Sequence, residues 1–320
     1  MVGKFGVLAQ NALLEVGTQK MKLTVLVLTF NEEMHLARCI ESILPLTQDI
    51  VVVDCFSQDQ TVAIAKRYGA KVLERAWENN HSTQVNWALS QLPADTEWVM
   101  RVDADEVLTP KLIEQIKTVL PTLSSDVHGV SCIRQIVFQG KLIEHGGVGS
   151  NRVMRLFRFG EGQSEARWMD EHIKISGQAV HIPEVMIDDN LQPLSWWVDK
   201  HNNYASREAV DLLNLKYRFV GSNSVAALNS SSASIGAKRW VKENIYAKMP
   251  GGLRAWIYYL WRYVFMLGFL DGARGAQFHL LQALWYRSLV DAKVAEVERY
   301  MTEKKVDPAV AIQKVLGITL

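Results

Sequence analysis

At 320 residues, 48% apolar and 22% charged, the chain can bury a sizeable core and does not have a disordered composition. A formal net charge of +1 gives no broad basic field and argues against nucleic-acid binding. Cys39, Cys55 and Cys132 lack CxxC spacing, which argues against a disulfide framework or zinc centre and for a reducing compartment.

Residues 1–20 lack the sustained apolar run of a signal peptide and read as an N-terminal extension. The first strong pattern is LTVLVLTF (23–30), a strand buried on both faces, followed by Leu36, Ile40, Ile43 and Leu44 at helical spacing. DIVVVD (49–54) is a second strand, and QTVAIAKRYG a helix closed by Gly69. AKVLER is a third strand, HSTQVNWALSQL a helix and EWVMRVD a fourth strand. TPKLIEQIKTVL opens a helix on Thr109 as N-cap and Pro110 at the first position. This alternation predicts an α/β fold with a mostly parallel sheet and helices on both faces. From about 128 to 182 shorter strands with glycine turns follow, and beyond Pro193 the chain reads as helical. Residues 221–236 have loop composition.

Ligands of open parallel sheets bind beyond the carboxyl ends of the strands. Three polar clusters fall at such ends: Asn31-Glu32-Glu33, Asp54 to Asp59, and Asp103-Ala104-Asp105. A turn or cap explains any one of them; their co-occurrence on one edge points to a site. In WVMRVDADEVLTP (98–110) the carboxylates of Asp103, Asp105 and Glu106 crowd together, which solvent or a bound cation must offset. Hard divalent cations take carboxylate and phosphate oxygens, so this pattern suits a metal-bound diphosphate. Neither GxxxxGK[ST] nor GxGxxG occurs.

The segments VLVLTFNEE, DIVVVDCFSQDQT, VNWALSQL and WVMRVDADEVLTP resemble, in order and spacing, the donor half of a family 2 glycosyltransferase of the GT-A fold. RLFRFG, DEHIKISG, KHNNYASREA, GFLDG and WYRSLVDAK resemble its bacterial branch that builds lipopolysaccharide core and surface polysaccharide. The resemblance implies a GT-A catalytic domain over 21–190, with a nucleotide-sugar half to about 125 and an acceptor half from about 126, and a helical region over 191–320. It places Thr29, Asn31, Glu33, Asp54, Asp59, Asn86 and Asp103 at the nucleotide sugar, and Asp105 with Asp103 on Mg²⁺ or Mn²⁺. The chain departs from the family's DSxSTDxT loop at Cys55, Phe56 and Gln58, and has Val85 where a basic residue commonly precedes the helix asparagine. A basic contact to the donor phosphate then falls to Arg101, Arg152 or Arg155.

Inverting transfer needs a carboxylate base for the acceptor hydroxyl. WMDEHIKISG resembles the family's acidic motif, which implies Glu171 as the base, Asp170 as the alternative, and His172 as orienter or metal ligand. Asp188 and Asp189 form a further acidic pair, with a plain turn as the alternative.

LRAWIYYLWRYVFMLGFL is aromatic but interrupted by Arg262, short of the roughly 20 clean residues of a span. Lys238, Arg239, Lys242, Lys248, Arg254 and Arg262 around it predict a helix lying in an anionic membrane interface, with Arg254 and Arg262 reaching headgroup phosphates. A core helix or a homodimer face is the alternative. The resemblance implies a metal-dependent inverting enzyme at the inner face of the cytoplasmic membrane, moving a hexose from a UDP-sugar to a lipid-linked or polysaccharide acceptor. Two rivals stand beside it: a non-catalytic glycan- or nucleotide-sugar-binding protein, and a sugar nucleotidyltransferase. The latter needs a Gly-rich basic loop where this chain has TFNEEMHLARC.

Overall fold

The computed structural model describes residues 22–78, 80–165, 172–219 and 252–320. Residues 1–20, Asp170, Glu171, Lys238, Arg239, Lys242 and Lys248 lie outside that set.

Alternation along apolar strands sends neighbouring side chains to opposite faces, so a strand buried on both needs helices on both. In β1 (Leu23–Thr29), Val25 and Val27 enter one core while Leu26 enters the other. In β2 (Ile50–Asp54), Val52 opposes Val51 and Val53 in the same way. β3 (Lys71–Glu74) and β4 (Trp98–Asp103) flank them, all four parallel in the order β3-β2-β1-β4. One face is covered by α1 (Leu36–Ile43), through Leu36, Cys39, Ile40 and Ile43, and the other by α3 (His81–Ser90), through Val85 and Ala88. α2 (Thr61–Arg67) ends at Gly69, whose φ of 77° is the left-handed geometry expected there. Thr109 Oγ1 caps α4 (Pro110–Val119) by accepting from Leu112 N at 3.3 Å.

The sheet is less parallel than the alternation predicts. It continues β4-β8-β6-β11-β5, with β8 (Asn151–Arg158) antiparallel to both β4 and β6 (Val127–Phe138). No helix separates β6 from β8, and a parallel return needs a crossover of a dozen residues or more. Instead β6 turns at Gln139 and Gly140, both at positive φ, into β7 (Lys141–Ile143). β11 (Gln178–Asp189) runs parallel to β6 and pairs at the sheet edge with β5 (Glu106–Leu108), which is too short to announce itself by periodicity. β9 (Gly162–Ser164) and β10 (Ile173–Ile175) form a separate ribbon.

The helical region starts with α5 (Leu194–Tyr217). Next come α6 (Leu253–Leu260), which runs into a π turn (Trp261–Phe265), and α7 (Gly272–His279). A second π turn (Leu280–Trp285) leads to α8 (Tyr286–Lys304) and then α9 (Pro308–Leu316). Val210 and Leu213 pack α5 onto Val297 of α8 and Ala311 and Ile312 of α9. Phe278 packs α7 onto Phe138 and Ile143 of the sheet.

The arginine expectation for this region is overturned. Arg254 is buried and donates through Nε to Asp291 Oδ1 at 2.7 Å. Arg262 is buried and donates through Nε to Gly146 O at 2.9 Å and through Nη1 to Gln282. A guanidinium facing an apolar phase would lose its hydrogen bonds, so both turn toward protein acceptors. Trp256, Ile257, Trp261, Phe265 and Leu270 point outward instead, Phe265 being 70% exposed. No helix among the described residues is long and apolar enough to cross a membrane.

Candidate active site at the strand ends

Register brings the first cluster together. Thr29 pairs with Asp54 across β1 and β2, and Leu28 with Asp103 across β1 and β4, so all three strands end at one edge. Asp54 is fully buried there and accepts from Thr29 Oγ1 at 2.8 Å and from the backbone N and side-chain Oγ of Ser57, each at 2.6 Å. It organises the loop after β2. That loop is zipped to the one after β1: Asn31 N donates to Ser57 Oγ at 2.8 Å and Gln58 N to Asn31 Oδ1 at 2.8 Å. Glu33 N donates to Asp59 Oδ2 at 3.1 Å, and Gln60 N to Glu33 Oε2 at 3.0 Å. Asn31 and Phe56 hold positive φ, a backbone cost that an aromatic residue seldom meets. Asn86 sits lower, on α3, and both ends of its amide are taken by the Ser164 backbone at 2.9–3.0 Å. It anchors the β9–β10 ribbon.

Of the three crowded carboxylates, Asp103 and Glu106 are bridged by a guanidinium group. Arg155 Nη2 donates to Asp103 Oδ2 at 2.9 Å and to Glu106, and Arg101 Nη2 donates to Asp103 Oδ1 at 3.0 Å. Burial alone would raise the Asp103 pKa, but Arg101 and Arg155 outweigh it and hold the group well below the usual carboxylate range. Burial pushes Glu106 the other way, upward, against the pull of Arg155. Asp105 differs from both: its Oδ2 accepts 2.9 Å from the neutral Asn190 amide, and no arginine closes on it among the described residues.

Asn190 belongs to the turn after β11, and strand pairing of Asp188 with Glu106 brings this turn over Asp105. Arg38 Nη1 bonds Asp189 Oδ2 at 2.6 Å, Asp189 N donates to Asp105 O at 3.0 Å, and Leu191 N donates to His35 Nε2 at 2.9 Å. His35 is buried and its Nδ1 lies 2.6 Å from Glu32 Oε2. Asp188 is pushed up to about 6, first by burial and then by the charge of Asp105, against Arg134 at 3.7 Å. His35, Asn190 and Asp188 therefore shape the site; sequence reasoning singled out Asp188, with Asp189, as an acidic pair, and missed His35 and Asn190.

Among the described residues no three His, Cys, Asp or Glu side chains are grouped so as to hold a metal ion. His172 is exposed at the start of β10, and its carbonyl accepts from Glu165 N at 3.0 Å. Asp170 and Glu171 lie outside the described residues.

Residues 24–163, from β1 through the start of the ribbon, match the Glycosyl transferase family 2 description. They form a family 2 glycosyltransferase domain. Its mixed sheet with helices, followed by a helical region, has the α/β architecture and helical C-terminal part that the sequence led one to expect. The chain is 26% identical to an uncharacterized glycosyltransferase of Rickettsia typhi, over 62% of this chain and 70% of that one. It is 34% identical to a second, from Rickettsia conorii, over 38% and 40%. The lipopolysaccharide core biosynthesis glycosyltransferase LpsC of Rhizobium meliloti is 30% identical over 45% of this chain and 53% of its own. Beyond the Rickettsia typhi protein, these matches span about half or less of the relatives' length. Among solved structures, glucosyl-3-phosphoglycerate synthase of Mycobacterium tuberculosis, bound to Mn²⁺, UDP and glucosyl-3-phosphoglycerate, is 21% identical. That match covers 36% of this chain and 44% of the synthase, with a TM-score of 0.30.

Proposed function

We propose that the family 2 domain transfers a hexose from a nucleotide diphosphate sugar, a UDP-sugar, to a lipid-linked or polysaccharide acceptor of the cell envelope, with inversion at the anomeric carbon. One observation carries this reading: the Asp105 side chain forms no ion pair among the described residues and bonds only the neutral Asn190 amide, with the charge of Asp188 acting against it, at the edge where Thr29, Asp54 and Asp103 converge. Two like charges in that position fit a hard divalent cation, Mg²⁺ or Mn²⁺, with oxygen ligands. Asp105 would hold it, with Asp188 as a further carboxylate that feels the Asp105 charge, and when bound it would neutralise the diphosphate that leaves. Asp103, tied to Arg101 and Arg155, keeps the turn in shape beneath it.

In the transfer, the acceptor hydroxyl oxygen forms a bond to the anomeric carbon while the bond from that carbon to the diphosphate breaks. The hydroxyl proton passes to a carboxylate, which the motif assigns to Glu171 or Asp170; the nucleoside diphosphate departs with the bonding electrons. Asn86 fixes the Ser164 backbone of β9. The loops at Asn31–Glu33 and Ser57–Gln60, locked by their mutual bonds, present backbone and the exposed Phe30 and Phe56 rings toward the base side. The name of the Rhizobium relative supports an envelope role.

The outward aromatic face of α6 and its π turn supports work at a membrane surface. Large apolar groups that stay exposed in a contiguous run mark an interaction face, and aromatic rings favour the acyl–headgroup boundary.

The test is nucleotide release in the presence of Mn²⁺ and a panel of nucleotide sugars. Asp105→Asn is expected to lower turnover by about 10³-fold or more, the scale of losing charge stabilisation at a leaving group, while retaining the fold. Full metal-dependent turnover in that variant would refute the reading.

A further inference from the structure

The donor's diphosphate needs cationic partners, and the three arginines that sequence offers for it are otherwise placed. Arg101 and Arg155 are buried and committed to Asp103 and Glu106. Arg152 is exposed near the start of β8, opposite Ile133 in the register, and its charge acts on His181.

We infer that Lys200 of α5, with Arg207 two turns further along, grips the diphosphate of the donor opposite Asp105. The inference rests on the donor reading proposed above and extends it to a helix outside the family 2 match, which ends at residue 163. α5 springs from the acidic edge itself: Asn190 bonds Asp105, Leu191 bonds His35, and the helix begins at Leu194. Residues at i, i+4 and i+7 share a helix face, so Lys200, Tyr204 and Arg207 line one side of α5. The Lys200 ammonium lies 4.6 Å from the Trp196 ring centre and 5.9 Å from that of Tyr204, held between the preceding and following turns. Burial pushes its pKa down, but Tyr204 and the carboxylates of Asp105, Asp188 and Glu32 outweigh this and keep the amine charged. Yet no carboxylate of the described residues comes within 4.0 Å of it.

A charged amine held against Trp196 and Tyr204, under the influence of three carboxylates and ion-paired with none of them, leaves room for a group that bridges the two signs. Phosphate oxygens held by a cation on the Asp105 side and an ammonium on the α5 side do that. Arg207 extends the positive face toward His81, whose protonation it and Lys200 both oppose. On this arrangement the helical region completes the donor site: a helix that continues away from the sheet supplies the charge that stabilises the departing diphosphate.

The experiment measures binding of UDP and of uridine in Mn²⁺ by calorimetry, for the full chain and for Lys200→Met, Lys200→Arg and Arg207→Met. Loss of one charge-assisted contact predicts about a 10- to 100-fold weaker UDP affinity for Lys200→Met. Uridine affinity should change less than about twofold, because uridine carries no phosphate. Lys200→Arg should restore most of the UDP affinity, and Arg207→Met should show a smaller loss of the same selectivity. UDP binding that is unchanged in Lys200→Met, or weakened equally with uridine, overturns the inference. In the first case a metal-dependent loss in Asp105→Asn would leave the donor reading standing alone. A full chain that binds none of UDP, GDP or dTDP with Mn²⁺ overturns both.

Discussion

Arg155 in the sheet and Arg262 in the helical region are buried to the same degree, 5% and 4% exposed, yet they serve opposite surfaces. Arg155 takes two carboxylates, Asp103 and Glu106, and lets acidic groups stand at a strand end. Arg262 takes neutral acceptors, Gly146 O and Gln282, and its inward turn leaves Trp261 and Phe265 facing out. The same side chain is thus used once to concentrate charge at a surface and once to remove it. A buried cation is informative mainly through what it bonds.

The largest expected effect tests the charged half. Arg155→Met strands the buried Glu106 and takes one of two guanidinium partners from Asp103, and should cost about 3–5 kcal/mol of stability in urea unfolding. Arg262→Met strands only a carbonyl and an amide and should cost about 1–3 kcal/mol. Equal costs would erase the distinction between the two regions.

The next effect tests the apolar half. Replacing Trp256, Trp261 and Phe265 together by Ser should weaken sedimentation with anionic vesicles by about tenfold or more, since each ring removed from the boundary forfeits apolar burial. Unfolding stability should stay within about 0.5 kcal/mol for each change, because these rings are 54–70% exposed. With Arg254 and Arg262 turned inward, the aromatic part of this binding should persist when salt screens charges. Vesicle binding that vanishes at high salt, or a dimer lost in the triple variant, would assign the face to another partner.

These regions also differ in how far sequence reveals them. The four parallel strands and their helices were legible because burial on both faces forces unbroken β-branched runs, and Thr109-Pro110 signals a helix start directly. The antiparallel extension was not, since β5 has three residues and its partner β11 lies some seventy positions away. Crowding at Asp103, Asp105 and Glu106 was legible; which of the three is left without a guanidinium depends on Arg155, brought in by β8. His35 and Asn190 carry no motif, and Lys200, though it opens KHNNYASREA, was assigned no role there; all three enter the site through tertiary placement. In the helical region composition showed that basic and aromatic residues coexist. It could not show which set faces outward, because that is set by the phase of helices interrupted by two π turns.

The smallest effect concerns the joint between the regions. His279 ends α7 with no exposure, and among the described residues neither ring nitrogen has a hydrogen-bond partner. Its ring fills the space that a Cβ at Gly146 or Gly268 would need, so the sheet's loop and the helical region close directly on it. Asp271 Oδ2 lies 3.9 Å from Nε2 but is engaged by His145, whose Nδ1 is 2.7 Å from Oδ1. Burial first, and then Arg262, push the His279 pKa down to about 4, against Asp271. Between about 4 and the ordinary value of about 6.5 the unfolded chain binds a proton that the folded chain refuses, so the His279 contribution to stability rises with pH across this window and levels off above it. Glu106 and Asp188, pushed up to about 7 and about 6, contribute a fall over the same range, so urea midpoints from pH 4.5 to 7 are compared between the chain and a His279 variant. In His279→Gln the slope should be less positive by at most about 1.4 kcal/mol per pH unit, with His81 and His201, both also depressed to about 4, keeping their own rise. An identical slope in the variant would mean that His279 accepts its proton without opening the joint, and that water reaches the seam between sheet and helices.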